Sequence, residues 1–256
     1  MNKYIKEEGR RQVKEKYRVI YTPSGAAREY SELAVNLATG CEHGCKYCYA
    51  PSIRGTSRED FKTRIILRNN FSKNLESDLK EMSELQDTRR VLLCFMTDAY
   101  QPLLAKDTRG YLELFRKYDI AFQVLTKNGK LAENDFDLYS EKDAYASTII
   151  FSDEETRKYY EPSAGTLRER IDSLKKAKEL GIETWVSLEP VIIPEQALEV
   201  IELTKDFTDH YKVGKINNFD TGIKVNWYQF TKDVINKLEK ENKSYYVKDS
   251  LKPYMR

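Results

Sequence analysis

Gly40-Cys-Glu-His-Gly-Cys-Lys-Tyr-Cys-Tyr49 decides how this chain is read. Three of its four cysteines, Cys41, Cys45 and Cys48, fall within eight residues in a C-x3-C-x2-C arrangement. Four cysteines in 256 residues are too few for a disulfide framework, so the cluster points to metal or redox chemistry. A tetrahedral structural zinc usually takes four protein ligands, and the only two histidines are His43, inside the stretch, and the distant His210. Three thiolates without an obvious fourth suit iron and sulfur better. In a four-iron cubane they hold three irons and leave one open to an outside ligand. An open iron implies chemistry rather than structure alone; a zinc site or a redox cysteine cluster remain the alternatives.

Outward from this stretch the hydrophobic pattern alternates strand and helix. Residues 33–38 read as a first strand leading through Gly40 into the cysteine loop. Phe71, Leu75, Leu79 and Met82 recur at helical spacing, followed by a strand over 91–95. A helix marked by Leu112, Phe115 and Tyr118 precedes a strand over 121–125, and a short helix over 131–139 precedes a strand over 146–151. The clearest helix carries Leu167, Ile171, Leu174, Ala177 and Leu180 on one face, with Thr166 and Glu169 as a capping box and Gly181 as its stop. Strands over 184–188 and 211–216 and helices over 195–204 and 227–240 complete the series. Six such units predict an α/β fold, a partial (β/α)6 TIM-type barrel over 31–242 with an N-terminal extension (1–30) and a C-terminal tail (243–256). Such barrels carry their chemistry at the C-terminal strand ends. Polar residues stand there: Thr97-Asp98, Thr126-Lys127, Ser152-Asp153, Glu189 and Lys215-Ile-Asn217.

Composition agrees with one soluble domain. Hydrophobic residues are 40% and charged residues 33%, and mean hydropathy is -0.68. No apolar run approaches the roughly 20 residues of a membrane span, and 1–18 lack an apolar signal core, so a cytoplasmic protein without membrane contact is expected. Net charge is +2, yet residues 1–18 carry seven Lys/Arg against three Glu, which reads as a solvated basic terminus before it reads as a phosphate-binding arm. The 18 tyrosines fit an AT-rich coding bias and read mostly as packing residues.

The cysteine loop resembles that of the radical S-adenosylmethionine superfamily, whose CxxxCxxC motif follows the first strand of a partial barrel. Within it the chain is similar to the spore photoproduct lyase-like (DNA photolyase-like) branch, through 40–50, Thr97-Asp98-Ala-Tyr-Gln-Pro102, Leu125-Thr-Lys-Asn128, Phe151-Ser152, Glu161-Pro162 and Arg168-Glu-Arg-Ile171. The lyase itself is longer before the cysteines than the 40 residues here, and repair of the spore thymine dimer is not implied. Trp185-Val-Ser-Leu-Glu-Pro190 is similar to a further branch of bacteria and phages, which widens the substrate range.

The resemblance implies a [4Fe-4S] cluster on Cys41, Cys45 and Cys48, with S-adenosylmethionine chelated at the open iron. It also implies reductive cleavage to a 5'-deoxyadenosyl radical and hydrogen abstraction from a substrate, with a reductant such as flavodoxin or ferredoxin. Tyr47, the aromatic before the third cysteine, would pack near the adenine; Lys127 would meet the methionine carboxylate, Thr97 and Asp98 the amino group, and Ser152 ribose or carboxylate oxygens. Cys94 would return a hydrogen atom to a product radical or act as a small buried hydrophobe. Glu189 and Lys215 would contact substrate, move protons, or pair with each other. By analogy the substrate is a nucleic acid or nucleotide, with Arg54, Arg58, Lys62 and Arg64 as a basic rim. A peptide or small metabolite, or a noncatalytic iron-sulfur or zinc protein, are the competing readings.

Overall fold

The computed structural model describes residues 17–255 and the backbone of two short strands, β1 (Tyr4–Ile5) and β2 (Val13–Lys14), which pair antiparallel. The basic terminus expected over 1–18 thus lies almost wholly outside the described residues.

The fully buried β3 (Leu33–Val35) opens the main sheet, and β4 (Ala38–Thr39) leaves it to pair antiparallel with β5 (Ile66–Leu67). Between β4 and β5 lie the cysteine loop and two short helices, α1 (Ala50–Ile53) and α2 (Arg58–Thr63). Six helix-to-strand steps follow. α3 (Phe71–Glu84) leads to β6 (Val91–Leu93), and α4 (Ala105–Lys117) to β7 (Phe122–Thr126). α5 (Gly129–Ala132), continued by a 3-10 turn over Glu133–Leu138, leads to β8 (Ala144–Thr148). α6 (Glu154–Tyr160) and α7 (Leu167–Glu179) precede β9 (Glu183–Val191), and α8 (Pro194–Thr204) precedes β10 (His210–Lys215). α9 (Trp227–Lys240) delivers β11 (Ser244–Val247).

The seven strands lie in the order β11-β10-β9-β8-β7-β6-β3, every neighbouring pair parallel. This is the α/β partial barrel expected, with two differences. The tail expected over 243–256 supplies a seventh strand, in register His210↔Ser244; of Ser-Tyr-Tyr-Val only Val247 is buried, so no apolar run announces it. The strand expected over 146–151 runs instead over Ala144–Thr148. Ile149 joins the main core, whereas Ile150 and Phe151 are buried beside Tyr47, Tyr160 and Ile192; their apolarity reports a buried loop.

Alternation sorts the strand side chains. Ala144 and Ala146 pack with Ala34, Leu92 and Trp185 in one cluster, and Tyr145 joins the main core under the helices. The small residues leave room for the Tyr30 ring, 5.9 Å from Trp185 and 6.0 Å from Phe95. On α3 the residues Phe71, Leu75, Leu79 and Met82 are buried, as their spacing requires. Asp78 on the same helix accepts from the amides of Arg18, Val19 and Ile20 and so fixes the incoming chain. The capping box of α7 forms in both directions, and Gly181 follows its end at φ +78°. Among the described residues no helix is long and apolar enough to cross a membrane.

Candidate functional site

The cysteine loop leaves β4 at Gly40, whose φ of +103° suits glycine alone. A Cβ there would stand 2.5 Å from the Arg64 carbonyl oxygen. The Gly40 carbonyl accepts from Thr97 Oγ1 at 2.5 Å, and Cys41 N donates to Phe61 O at 2.9 Å. Glu42 N donates to Gln101 Oε1 (2.7 Å), Lys46 N to Tyr160 O (2.8 Å), and the Arg58 guanidinium to Cys48 O (2.9 Å). The loop is therefore held from the segment after β6, from α2 and from α6 at once. Cys41, Cys45 and Cys48 are free and half-buried, and Cys94 is buried at the end of β6. Among the described residues, no three His, Cys, Asp or Glu side chains gather as they would around one metal ion. Gly40→Ala is expected to cost about 1–3 kcal/mol from strain and the clash with Arg64. Urea unfolding and iron content after reconstitution check this; wild-type values in both would contradict the account of the loop.

Asp98 knots this end of the sheet. Its Oδ1 accepts from Tyr100 N (2.9 Å) and Thr126 Oγ1 (2.6 Å), and its Oδ2 accepts from Lys127 N (2.8 Å) and lies 3.5 Å from His43 Nδ1. The carboxylate is thus committed to groups of the chain itself. Thr97 Oγ1 is also engaged, donating to Gly40 O and accepting from Gln101 Nε2. His43 is 1% exposed; burial pushes its pKa down, so the imidazole is neutral, and its Nε2 has no hydrogen-bond partner among the described residues. The Lys127 ammonium lies 5.8 Å from the centre of the Tyr47 ring and has no hydrogen-bonded or ion-paired partner among the described residues. Burial would lower its pKa, but the facing Cys45 and Glu161 raise it by more, and it stays charged.

Beneath Tyr47 sits a buried ion pair to which the sequence reading gave no role. Glu161 and Arg170, 0% and 1% exposed, meet at 2.6 Å, and the Tyr47 hydroxyl donates to Glu161. Arg170 also donates to Thr148 O and Gly165 O, and its Nη2 is buried without a hydrogen-bond partner among the described residues. The signal was available: Arg170 shares the buried face of α7 with Leu174 and Ala177, where a charge needs a buried reason.

The remaining expected residues separate. Ser152 Oγ donates to Glu199 at 2.6 Å, and Ser152 N donates to Gln196, which ties it to α8. Glu189 does not pair with Lys215, the pairing weighed from sequence. Its Oε2 accepts from Lys248 Nζ at 2.5 Å and from the Tyr30 hydroxyl. Lys215 lies instead 5.9 Å from the Trp227 ring and 5.6 Å from Tyr254. Gly214 leaves the room, since a Cβ there would stand 2.8 Å from Glu189 Cδ. Lys248 is 2% exposed and comes from the segment read as a tail.

A family model described as the Radical SAM superfamily matches residues 35–208. An uncharacterized protein of Acidianus two-tailed virus is 26% identical over 190 residues, covering 70% of this chain and 62% of the relative. One of Methanocaldococcus jannaschii is 25% identical over 187 residues, covering 71% and 69%. The chain thus spans less than two thirds of the first relative's length. Among solved structures, a spore photoproduct lyase variant with bound AdoMet and dinucleoside spore photoproduct superposes with TM-score 0.68 at 15% identity, covering 88% of this chain and 78% of that one. Streptococcus suis SuiB bound to S-adenosylmethionine gives 0.64 at 13%, covering 84% and 49%. At these identities the likeness is one of fold.

Proposed function

Because the chain belongs to the radical SAM superfamily, we propose that it holds a [4Fe-4S] cluster on Cys41, Cys45 and Cys48 and binds S-adenosylmethionine beside it. The observation that carries this reading is a pinned loop with three free thiols and, next to it, a lysine ammonium without a hydrogen-bonded or ion-paired partner among the described residues. The donor set fits the group. Three thiolates account for three irons of a cubane, whereas a structural zinc asks for four convergent ligands. When bound, the pair supplies a 5'-deoxyadenosyl radical on reduction.

The residues of the chain then orient and shield. Lys127 meets the methionine carboxylate as a point charge, and Tyr47, anchored on Glu161, offers its ring to the adenine. Thr97 and Asp98 act by positioning: one holds the Gly40 carbonyl, the other the Lys127 amide just past the C-terminal end of β7. Cys94 keeps its proton because burial pushes the thiol up to about 12, and S–H is the form that can return a hydrogen atom. Glu189, held by Lys248, and Lys215, beside Trp227 and Tyr254, would line the substrate side. A nucleic acid or nucleotide substrate is supported by the sequence resemblance to the photoproduct lyase branch and by a matching fold solved with a dinucleoside spore photoproduct bound. A low-potential flavodoxin or ferredoxin supplies the electron.

Anaerobic reconstitution tests the reading. About four irons per chain and release of 5'-deoxyadenosine with dithionite are expected, and deuterium transfer from labelled nucleotides identifies the substrate. A cluster-loaded protein that never yields the nucleoside would overturn it. Lys127→Ala is expected to weaken S-adenosylmethionine binding about tenfold to a hundredfold with iron content retained. Unchanged affinity in equilibrium dialysis removes Lys127 from the site.

A further inference from the structure

At the amino ends of the strands, opposite the cysteine loop, the barrel floor holds a cavity of about 410 Å³. Small-molecule pockets run from about 300 to 1,000 Å³. The strand register explains the space. Gln123, Ala144 and Glu183 are cross-strand partners on β7, β8 and β9 and therefore share a face, and the alanine between two longer side chains leaves a gap. Two residues on, Trp185 faces the same way; its partner on β10 is His210, followed on that face by Lys212. Arg90, just before β6, and Tyr30, before β3, complete the wall. The Tyr30 ring stands 5.9 Å from Trp185 and 6.0 Å from Phe95, and its hydroxyl meets Glu189. It therefore stands between the cavity and the carboxyl-end mouth.

We propose that this cavity is a second binding site, which takes a small molecule through its carboxylate or phosphate group. The wall carries donors that the chain itself does not use. Lys212 Nζ donates to Glu29 O at 3.3 Å and Tyr30 O at 2.9 Å, and no carboxylate pairs with it among the described residues. An ammonium has three protons, so one is left over. Arg90 spends Nε on Lys142 O and Nη2 on Glu183, which leaves Nη1 without a hydrogen-bond partner among the described residues. The Trp185 indole N–H is buried and likewise has no hydrogen-bond partner among the described residues. Of the acids on the wall, Glu183 is taken by Arg90, and Glu32 is exposed at the rim. An oxyanion accepts from a guanidinium and an ammonium together, whereas a cation would meet both head on. Burial, with the Lys248 and Arg90 charges, pushes the Lys212 pKa down to about 8 against the pull of Glu29 and Glu183, and a bound oxyanion would relieve that cost.

Calorimetric titration of the metal-free full chain with inorganic phosphate and, separately, with succinate tests the site independently of the iron-sulfur reading. At least one of the two is expected to bind with a Kd of about 1 mM or tighter near neutral pH, and the tighter one tells phosphate from carboxylate. Lys212→Met and Arg90→Gln should each weaken it about tenfold or more. Glu32→Gln removes a negative charge from the rim and should tighten it about twofold. Lys127→Ala, at the opposite end of the sheet, should leave it unchanged. Affinity should fall as the pH rises above about 8, where the free Lys212 loses its charge. No binding of either anion at about 10 mM would overturn the proposal. So would binding that Lys127→Ala removes and Lys212→Met does not. Should Lys212→Met fail to fold, Arg90→Gln and Glu32→Gln still decide, and unchanged affinity in both overturns the site.

Discussion

Cys45→Ala is expected to abolish cluster assembly and lower 5'-deoxyadenosine formation by about three orders of magnitude or more. The backbone around Cys45 is held independently of its sulfur, by Lys46 N on Tyr160 O and by Arg58 on the neighbouring carbonyls. The fold should therefore survive the change, as circular dichroism would report. The thiol itself is unfavourable to ionise in the empty loop, where burial pushes it up to about 12, so binding a cationic group must release its proton. Iron analysis and nucleoside release after identical reconstitution are the measurements. A Cys45→Ala protein that still bound about four irons and made the nucleoside would remove the loop from the mechanism.

Glu161→Ala should be the most destabilising single change near the site, at about 3–5 kcal/mol, because it strands a buried guanidinium. Arg170 is 1% exposed and Glu161 fully buried, so no solvent replaces the lost carboxylate. The double change Glu161→Leu/Arg170→Met should recover much of the loss, since the cost lies in the unpaired charge rather than in the missing attraction. Urea unfolding of the three variants decides; a double variant no more stable than Glu161→Ala would contradict this account. Burial pushes the Glu161 carboxyl up, but the Arg170 and Lys127 charges outweigh it and hold the pKa below its ordinary value. A depressed folded pKa means that the pair's contribution is complete at neutral pH and fades as pH falls through the carboxylate range. Stability of the wild type should decline with acid there more steeply than that of the double variant.

What could be read from the chain was local. The capping box of α7, the apolar faces of α3 and α9, and the buried runs that became β6 and β7 are written in spacings of a few residues. The cysteine loop is a short-range pattern of the same kind. What escaped was set by distant partners. β11 is polar because it lies at the sheet edge and needs only Val247 inside. The polar strand ends were expected to face ligands, yet Asp98 is bound up with the amides and hydroxyls of its neighbours and Ser152 with α8. No spacing rule foretells that Glu189 chooses Lys248, 59 residues on, over the nearer Lys215. The shift of the strand expected over 146–151 has the same origin, since a buried loop and a buried strand look alike in hydropathy.

The partnership of Glu189 with Lys248 also fixes an order of manufacture. A ribosome delivers the cysteine loop about 200 residues before the lysine that neutralises the interior acid and lies 4.2 Å over Tyr30. Until that lysine emerges, the nascent interior keeps an unmatched negative charge and therefore its water. The cysteine loop is thus born into an open vessel, and the vessel can be stoppered only after about 200 further residues have been made.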